Sequence, residues 1–313
     1  MKTILICPAD QSEVPLLSTE APLAAIVALG TGLVEYWMSH LAGSGVKEVT
    51  LLAHDRIEAV RKAVGHGSRW GLTVKIIAEG QQLTPEGATE KYGLPAMTMD
   101  HFPDLPELPL FESYGHWYKG LEAWMPRAKT CHRVGVMEKA PQVWVGLHGH
   151  ISPEARLLAP CWIGAHVYVG PGAVIGPGAI LENGAFIEGE SEIKGSVVGP
   201  ATFVGQYLTI TDSLAWGHTL VNWRTGTEST ISDEFLLCSV NRERSTHKGI
   251  PLLDRAKEWL NGWGEPTVHG APTDPGEEKQ LVARQGVAIA QFCSVGTIDT
   301  SPAIYRRETR PHN

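Results

Sequence analysis

Four histidines stand where their side chains could carry chemistry. His166 lies in the sequence IGAH and His218 in WGH, while His148 and His150 form an H-x-H pair in VGLHGHIS. Histidine titrates near neutral pH, so His166 or His218 could act as a general base. In an extended segment His148 and His150 would share a face and could bind a metal. Neither an orienting carboxylate nor a third ligand is evident beside them, so ordinary solvent-facing positions are the alternative for all four.

One carboxylate also suggests a metal. Asp100 ends the short apolar piece AMTMD, and Asp104 follows four residues later. A carboxylate at the end of a strand could coordinate a hard cation. The alternative is an Asp that caps a turn beside Pro103.

The N-terminal residues predict the elements of a parallel α/β sheet. Continuous apolar runs typical of strands buried on both faces occur at Thr3–Cys7, Glu48–Ala53 and Leu72–Ile77. Apolar residues at helical spacing occur between them, at Leu33–Leu41 and Asp55–Val64. The order β-α-β-α-β favours parallel strands with right-handed crossovers.

The middle of the chain predicts a proline-rich connection and one helix. Five prolines between residues 80 and 110 confine any strand there to Ala96–Met99. Large apolar side chains then recur every three or four residues over Phe111–Met125, which predicts an amphipathic helix with a packed face. Tryptophans near this junction and farther along could form a sugar-binding platform or pack the helix against the next domain, and packing is favoured. They are Trp117, Trp124, Trp144, Trp162, Trp216 and Trp223.

A six-residue repeat begins at Leu157. Aliphatic residues recur every six positions through Ile193, with Gly directly after them at 164, 170 and 176. The count slips by one residue and resumes at Val198. The aliphatic side chain would fill an interior and its small neighbour would allow a tight bend, which predicts a parallel β-helix with three hexapeptides in each coil. Ile231–Val240 reads as a closing strand, and Leu252–Leu260 as a cap helix.

The residues at 34 to 79, with GHGSRWG at 65 to 71, resemble the sugar-1-phosphate nucleotidyltransferases. The family carries a related G-D-G-S-x-F/W-G signature, and a left-handed hexapeptide β-helix commonly follows its catalytic domain. The resemblance implies a truncated Rossmann-like nucleotidyltransferase-type sheet before a left-handed parallel β-helix. It also implies a nucleoside triphosphate and a sugar 1-phosphate as substrates, Mg²⁺ as cofactor with Asp100 as the metal ligand, and Ala9, Asp10 and Pro22 as nucleotide-binding positions.

The sequence departs from the family at the phosphate loop. Residues 7 to 23 read CPADQSEVPLLSTEAPL, without Gly or Arg, and Ala21 stands where the family has a Lys. Pro8 has no N–H to donate, and Asp10 and Glu13 would repel a triphosphate. We therefore expect nucleotides to bind no tighter than about millimolar and turnover to be weak or lost. Two alternatives remain open: acyl transfer on the β-helix, with His166 or His218 as base, and a non-catalytic binding or regulatory scaffold.

The composition of the chain restricts the classes of binding partner and the cellular compartment that we expect. A net charge of −8 and a pI near 5.9 argue against nucleic acid and anionic membranes as partners. Five widely spaced cysteines without a C-x-x-C pair, and no apolar run long enough for a signal peptide, favour the cytoplasm. An apolar stripe on the outside of the coils predicts a homo-oligomer, and its residues are Val167, Val174, Phe186 and Phe203.

These patterns divide the chain into four regions. We predict a Rossmann-like domain at 1–80 and a proline-rich linker with an amphipathic helix at 81–154. The β-helix is expected at 155–240, and a C-terminal cap and tail at 241–313.

Overall fold

The computed structural model describes residues 1–19, 21–127 and 135–240. The predicted cap helix and tail at 241–313 lie outside the described residues. No helix in the described part of the chain has the length and hydropathy needed to cross a membrane.

A four-stranded parallel sheet forms the N-terminal part. The first strands and helices of the chain are β1 (Lys2–Ile6), β2 (Val27–Ala28), β3 (Thr31–Gly32), α1 (Leu33–Gly43), β4 (Glu48–Ala53), α2 (Ile57–Val64), β5 (Thr73–Ala78), α3 (Pro85–Tyr92), β6 (Ala96–Thr98) and α4 (Tyr114–Trp124). The sheet order is β5-β4-β1-β6, and every neighbouring pair is parallel. The predicted parallel α/β start is confirmed, since two of the three predicted apolar runs are its central strands β1 and β4 and the third is its edge strand β5.

The segment after residue 80 differs from the predicted linker. It supplies α3 and then β6, which pairs with β1 as an edge strand of the sheet. Thr84 caps α3 by accepting a hydrogen bond from the N–H of Gly87, and Pro85 occupies the first turn. The prolines therefore border short elements, and the N-terminal domain extends beyond residue 80.

The rest of the described chain is a parallel β-helix with three faces. The first face contains β8 (Val143–Gly146), β11 (Cys161–Ile163), β14 (Ala179–Leu181), β17 (Val197–Val198) and β20 (Ser213–Trp216), flanked by antiparallel β7 (Val136–Ala140), β21 (Thr219–Asn222) and β22 (Thr227–Thr230). The second contains β9 (His150–Ile151), β12 (Tyr168–Val169), β15 (Phe186–Ile187) and β18 (Thr202–Val204), closed by antiparallel β23 (Leu237–Ser239). The third contains β10 (Arg156–Leu157), β13 (Val174–Ile175), β16 (Glu192–Lys194) and β19 (Thr209–Thr211).

Strand register explains the six-residue repeat and its slip. On the first face Trp144, Trp162, Ile180, Val197 and Leu214 stand in line, at steps of 18, 18, 17 and 17 residues. The repeat's aliphatic residues, such as Ile163, Ile175 and Ile187, are fully buried in the interior of the coils. The predicted β-helix is confirmed, although its first strand, β8, precedes the expected start at residue 155.

The outer side of the first face is covered by the N-terminal domain. One apolar cluster joins side chains of the sheet and of α1 and α4 to Trp144, Trp162 and Ile180 on that face. Five of the six junction tryptophans are buried there, and Trp223 is partly buried against the cluster. Packing, and not an exposed sugar platform, is the role of the five buried rings.

Three of the four residues of the outer apolar stripe predicted for subunit contact are buried, and the fourth, Val174, is half-buried. Val167 belongs to the interior of the coils. Phe186 and Phe203 are each 1% exposed and pack with Cys238 and Val240, next to the closing strand β23. An exposed stripe therefore does not support the homo-oligomer, which stays a prediction. Light scattering at micromolar concentration can test it.

Candidate functional site

A small cavity lies at the corner of the β-helix between the first and second faces. It has a volume of about 210 Å³ and is lined by His148, His166, Asn183 and the tip of the β2–β3 hairpin. His148 and His166 occupy the same corner position in successive coils. Both have left-handed backbone, with φ of +60° and +56°, so the chain turns sharply at each of these residues.

His166 is held in this corner by backbone and ring contacts. Its N–H donates to the carbonyl of Leu147 at 3.0 Å. Its ring stacks on that of His148 with centroids 5.1 Å apart and planes 18° apart. Burial, followed by the neighbouring His148, lowers the pKa of His166 below its usual value. The ring is therefore neutral at pH 7, the state that a general base requires.

The β2–β3 hairpin closes one side of the cavity. The N–H groups of Leu29 and Gly30 donate to the two carboxylate oxygens of Glu182, at 2.7 and 2.8 Å. Asn183 donates from Nδ2 to the carbonyl of Gly30 at 3.2 Å and accepts from the N–H of Ala165 at 2.8 Å. Asn183 thus links the hairpin tip to the coil that carries His166.

Glu182 is buried with no cationic partner among the described residues. Burial raises the pKa of its carboxyl to about 7, although the two backbone N–H groups act in the opposite direction. The carboxyl of Glu182, which lies in the contact between the hairpin and the β-helix, is therefore partly protonated near neutral pH.

Sequence reasoning missed Glu182 and Asn183, although a signal was present. The repeat places a small residue directly after its interior aliphatic residue, as at Gly164. Glu182 occupies the corresponding position one coil later, after Leu181. A carboxylate where the corner favours glycine marks Glu182 as unusual, but Glu188 follows Ile187 in the same way, so this signal alone does not single out the Glu182 corner.

The other candidate histidines lie elsewhere. His218 is exposed in the turn between the antiparallel strands β20 and β21, where its carbonyl accepts from the N–H of Ile231. His150 stacks on Tyr168 of β12, with centroids 5.2 Å apart, while His148 stacks on His166. No group of three or more metal-ligating residues occurs in the described ranges, so the H-x-H pair gains no third ligand.

The predicted nucleotide loop is tied to its neighbours. Asp10 pairs with Arg56 at 2.6 Å, and the N–H of Ala9 donates to the side chain of Gln82 at 3.4 Å. Partial burial and the nearby Asp55 raise the pKa of Asp10. Pro22 is buried and precedes the 3-10 helix Leu23–Ala25.

The cavity at the carboxyl ends of β1 and β6 is acidic. This edge is the switch point of the sheet, where open α/β sheets commonly bind ligands. The cavity measures about 400 Å³ and is lined by Glu13, Asp100 and Glu112 among others, but by no Lys or Arg. Ala9, Asp10 and Pro22 do not line it. A triphosphate would meet carboxylates here without a compensating cation.

Asp100 is occupied by local hydrogen bonds. One of its carboxylate oxygens accepts from Thr98 Oγ1 at 2.8 Å and contacts Nδ1 of His101 at 2.7 Å. The bond to His101 is the main cause that lowers the pKa of Asp100. A single engaged carboxylate does not supply the set of oxygen ligands that Mg²⁺ takes. The magnesium site stays a prediction, and no step below depends on it.

The hexapeptide repeat is similar to a known family of proteins. The model of the bacterial transferase hexapeptide family, six repeats, matches residues 154–189. A search of curated protein sequences finds no match. Among solved structures, a mutant perosamine N-acetyltransferase from Caulobacter crescentus, with CoA and GDP-perosamine, is 13% identical over 69% of this chain and 94% of that chain. Its TM-score of 0.19 is too low to support an argument.

The predicted nucleotidyltransferase function is wrong. The family match falls on the β-helix and names a hexapeptide transferase, while the nucleotidyltransferase-type assignment of the N-terminal sheet receives no support. The acidic cavity at the end of that sheet gives a physical reason. The resemblance at residues 34 to 79 located the elements of a parallel α/β sheet. The cavity at the end of that sheet lacks the positive charges that a nucleotide site requires.

Proposed function

We propose that this chain transfers an acyl group from an acyl-CoA thioester to an amine or hydroxyl acceptor at the His166 corner. The hexapeptide-transferase match over residues 154–189 supports this class of reaction. The observation that carries the proposal is the position of His166 in a cavity closed by the hairpin tip, with its pKa lowered by burial and by His148.

The proposed chemistry requires one base. Nδ1 of His166 is buried, so we assign Nε2 as the nitrogen that meets the acceptor. Nε2 takes a proton from the acceptor while the acceptor nitrogen or oxygen attacks the thioester carbonyl. A C–N or C–O bond forms and the C–S bond breaks. The CoA thiolate takes the proton from Nε2 of His166 and leaves as the thiol.

The surrounding residues would fix the orientation of the base. Asn183 holds the backbone beside His166 through Ala165 and also holds Gly30 of the hairpin. At about 210 Å³ the cavity is smaller than a typical small-molecule site. It would therefore admit only the reacting end of the acceptor, with the rest of that molecule outside the corner.

A thiol-release assay tests the proposed reaction. Purified full-length chain is mixed with acetyl-CoA and longer acyl-CoAs, together with a panel of small amines, amino sugars and sugar alcohols. The expected result is CoA release that depends on at least one acceptor and exceeds the rate without protein. Hydrolysis at the background rate across the whole panel would contradict acyl transfer and leave the non-catalytic scaffold.

A further inference from the structure

A third cavity, larger than the two described above, lies at the edge of the first β-helix face opposite the His166 corner. It measures about 720 Å³ and is bounded by one side of α4 and by coil corners that include Gly178 and Gly195. None of its lining residues borders the His166 cavity. A volume of several hundred Å³ is within the range of small-molecule sites.

The floor of this cavity is built by specific hydrogen bonds. Tyr118 donates from its hydroxyl to the carbonyl of Gly178 at 2.9 Å, and Trp223 donates from Nε1 to the carbonyl of Gly195 at 2.8 Å. The two rings stack with centroids 4.6 Å apart. Gly178 has φ of +71°, and a Cβ there would lie 2.5 Å from the Tyr118 hydroxyl. The floor is therefore formed before any ligand binds.

The charges around the cavity favour an anion. Lys119 from α4, Lys194 from β16 and Arg224 line it, against the carboxylates of Glu122 and Asp212. Arg224 binds Asp212, with Nε to Oδ2 at 2.5 Å. In the described ranges neither lysine has a carboxylate partner. The cavity thus keeps a positive balance in a chain of net charge −8.

The orientation of α4 adds to this balance. Gly115 and His116 of its first turn line the cavity, and the N-terminal end of a helix carries partial positive charge. Ser113 already caps the N–H of His116 at 3.2 Å. The helix end is thus a contributor, while the two lysines supply the full charges.

We propose that this cavity binds a small molecule through a phosphate or diphosphate group. Lysine ammonium groups bind phosphate as point charges. Here one lysine lies on α4 and the other on β16, and both border the floor formed by Tyr118 and Trp223. The volume leaves room for a further organic part of the ligand. This site is independent of the proposed acyl transfer, so either can fail without the other.

Calorimetric titration with inorganic pyrophosphate tests the site. The double variant Lys119→Gln/Lys194→Gln is expected to bind about tenfold or more weakly, since two charge-assisted contacts are lost. The matched control Lys75→Gln changes an exposed lysine on β5 and should bind like the natural chain. Absence of pyrophosphate binding to the natural chain, or equal affinity in the double variant, would overturn the proposal.

A gain of affinity provides a test that misfolding cannot imitate. Glu122 is exposed at this cavity and has no ion-pair partner in the described ranges. Glu122→Gln removes a repelling charge and should strengthen pyrophosphate binding by about threefold or more at low salt, with the gain shrinking as salt is added. Unchanged affinity at low salt would contradict the assignment.

Discussion

At the scale of single residues, burial acts on two titratable groups of one corner. It favours the neutral ring of His166 and the protonated carboxyl of Glu182, because a low-dielectric environment disfavours charge. His166 is therefore neutral at pH 7, whereas the carboxyl of Glu182, with a pKa of about 7, changes its protonation near that pH. The pH dependence of turnover reports on His166, and the pH dependence of stability reports on Glu182.

The first prediction concerns the pH profile of turnover. If neutral His166 is the base, kcat/KM rises with pH through its pKa and then reaches a plateau. His148 lowers that pKa, so His148→Gln should move the midpoint to higher pH. His150→Gln is the matched control, because His150 stacks on Tyr168. Identical midpoints in the natural chain and His148→Gln would contradict this role.

The second prediction concerns stability between about pH 4.5 and 7. The carboxyl of Glu182 has a pKa of about 7 in the folded chain, against an ordinary value of 4.5. Over that range the folded chain holds a proton that the unfolded chain has lost, so stability falls as pH rises and levels off above 7. The fall attributable to Glu182 is on the order of 3 kcal/mol.

Glu182→Gln should lack this fall, because an amide has no proton to lose. Urea denaturation at several pH values, with Glu192→Gln as an exposed control on β16, measures the difference. Parallel stability curves for the natural chain and Glu182→Gln would show that the carboxyl is not perturbed.

Single-residue roles were only partly predictable. His166 was identified from its residue type and its place in the repeat, but His218 had equal standing. What separates them is that His166 lies at a stacked corner and His218 in an antiparallel turn. Nothing in the local sequence reveals that the tip of β2–β3 binds Glu182, because that contact joins residues more than 150 positions apart.

At the scale of elements, the β2–β3 hairpin joins the two halves of the fold. Its tip has left-handed backbone at Leu29 and Gly30, and both N–H groups point to one carboxylate. This tight turn presents two donors side by side to Glu182. The hairpin therefore acts as a connector, although it contains only four strand residues.

The third prediction tests the fit of this tip. Gly30 has φ of +77°, and a Cβ there would lie 3.1 Å from Oδ1 of Asn183. Gly30→Ala should cost about 1–2 kcal/mol of stability, from backbone strain plus displacement of Asn183. Gly45→Ala is the matched control, since Gly45 has φ of +80° and open space around it. Equal losses in thermal unfolding of the two variants would mean that the Asn183 contact adds nothing.

Elements with strong periodicity were predictable, and β6 lies within Ala96–Met99, the piece to which the prolines confined any strand, whereas α3 and the pairing partner of β6 were not predicted. β4 matches its predicted bounds, and the repeat located the coils, because interior residues must recur at each turn of the β-helix. α3 and β6 lie in a segment whose prolines suggested a linker. The prolines of this segment mark where short elements begin or end and do not show which elements these are. The pairing of β6 with β1 depends on the rest of the sheet.

At the scale of the whole molecule, one apolar cluster joins the N-terminal domain to the β-helix. It includes Tyr36 of α1, Trp117 of α4 and Trp162 of β11, all nearly inaccessible to solvent. A shared core of this kind couples the unfolding of the parts that form it.

The fourth prediction is that the two parts unfold together. Tryptophan fluorescence, which reports on the shared core, and far-ultraviolet circular dichroism should give the same urea midpoint. Trp162→Ala should move both midpoints, at a cost of about 3–5 kcal/mol. Thr209→Ala, at an exposed position on β19, is the control. Two separate transitions, or a change in only one signal, would contradict a shared core.

The most direct test of the central claim compares His166→Asn with His218→Asn in the thiol-release assay. Each variant removes one candidate base, and His218 lies in an exposed turn away from the corner cavity. Matching circular dichroism spectra and unfolding midpoints would verify that both variants are folded. With an acceptor that the natural chain uses, His166→Asn should lose turnover by about 10²-fold or more, the contribution typical of a general base, while His218→Asn keeps it. Full turnover in a folded His166→Asn variant would contradict the assignment of His166 as the base.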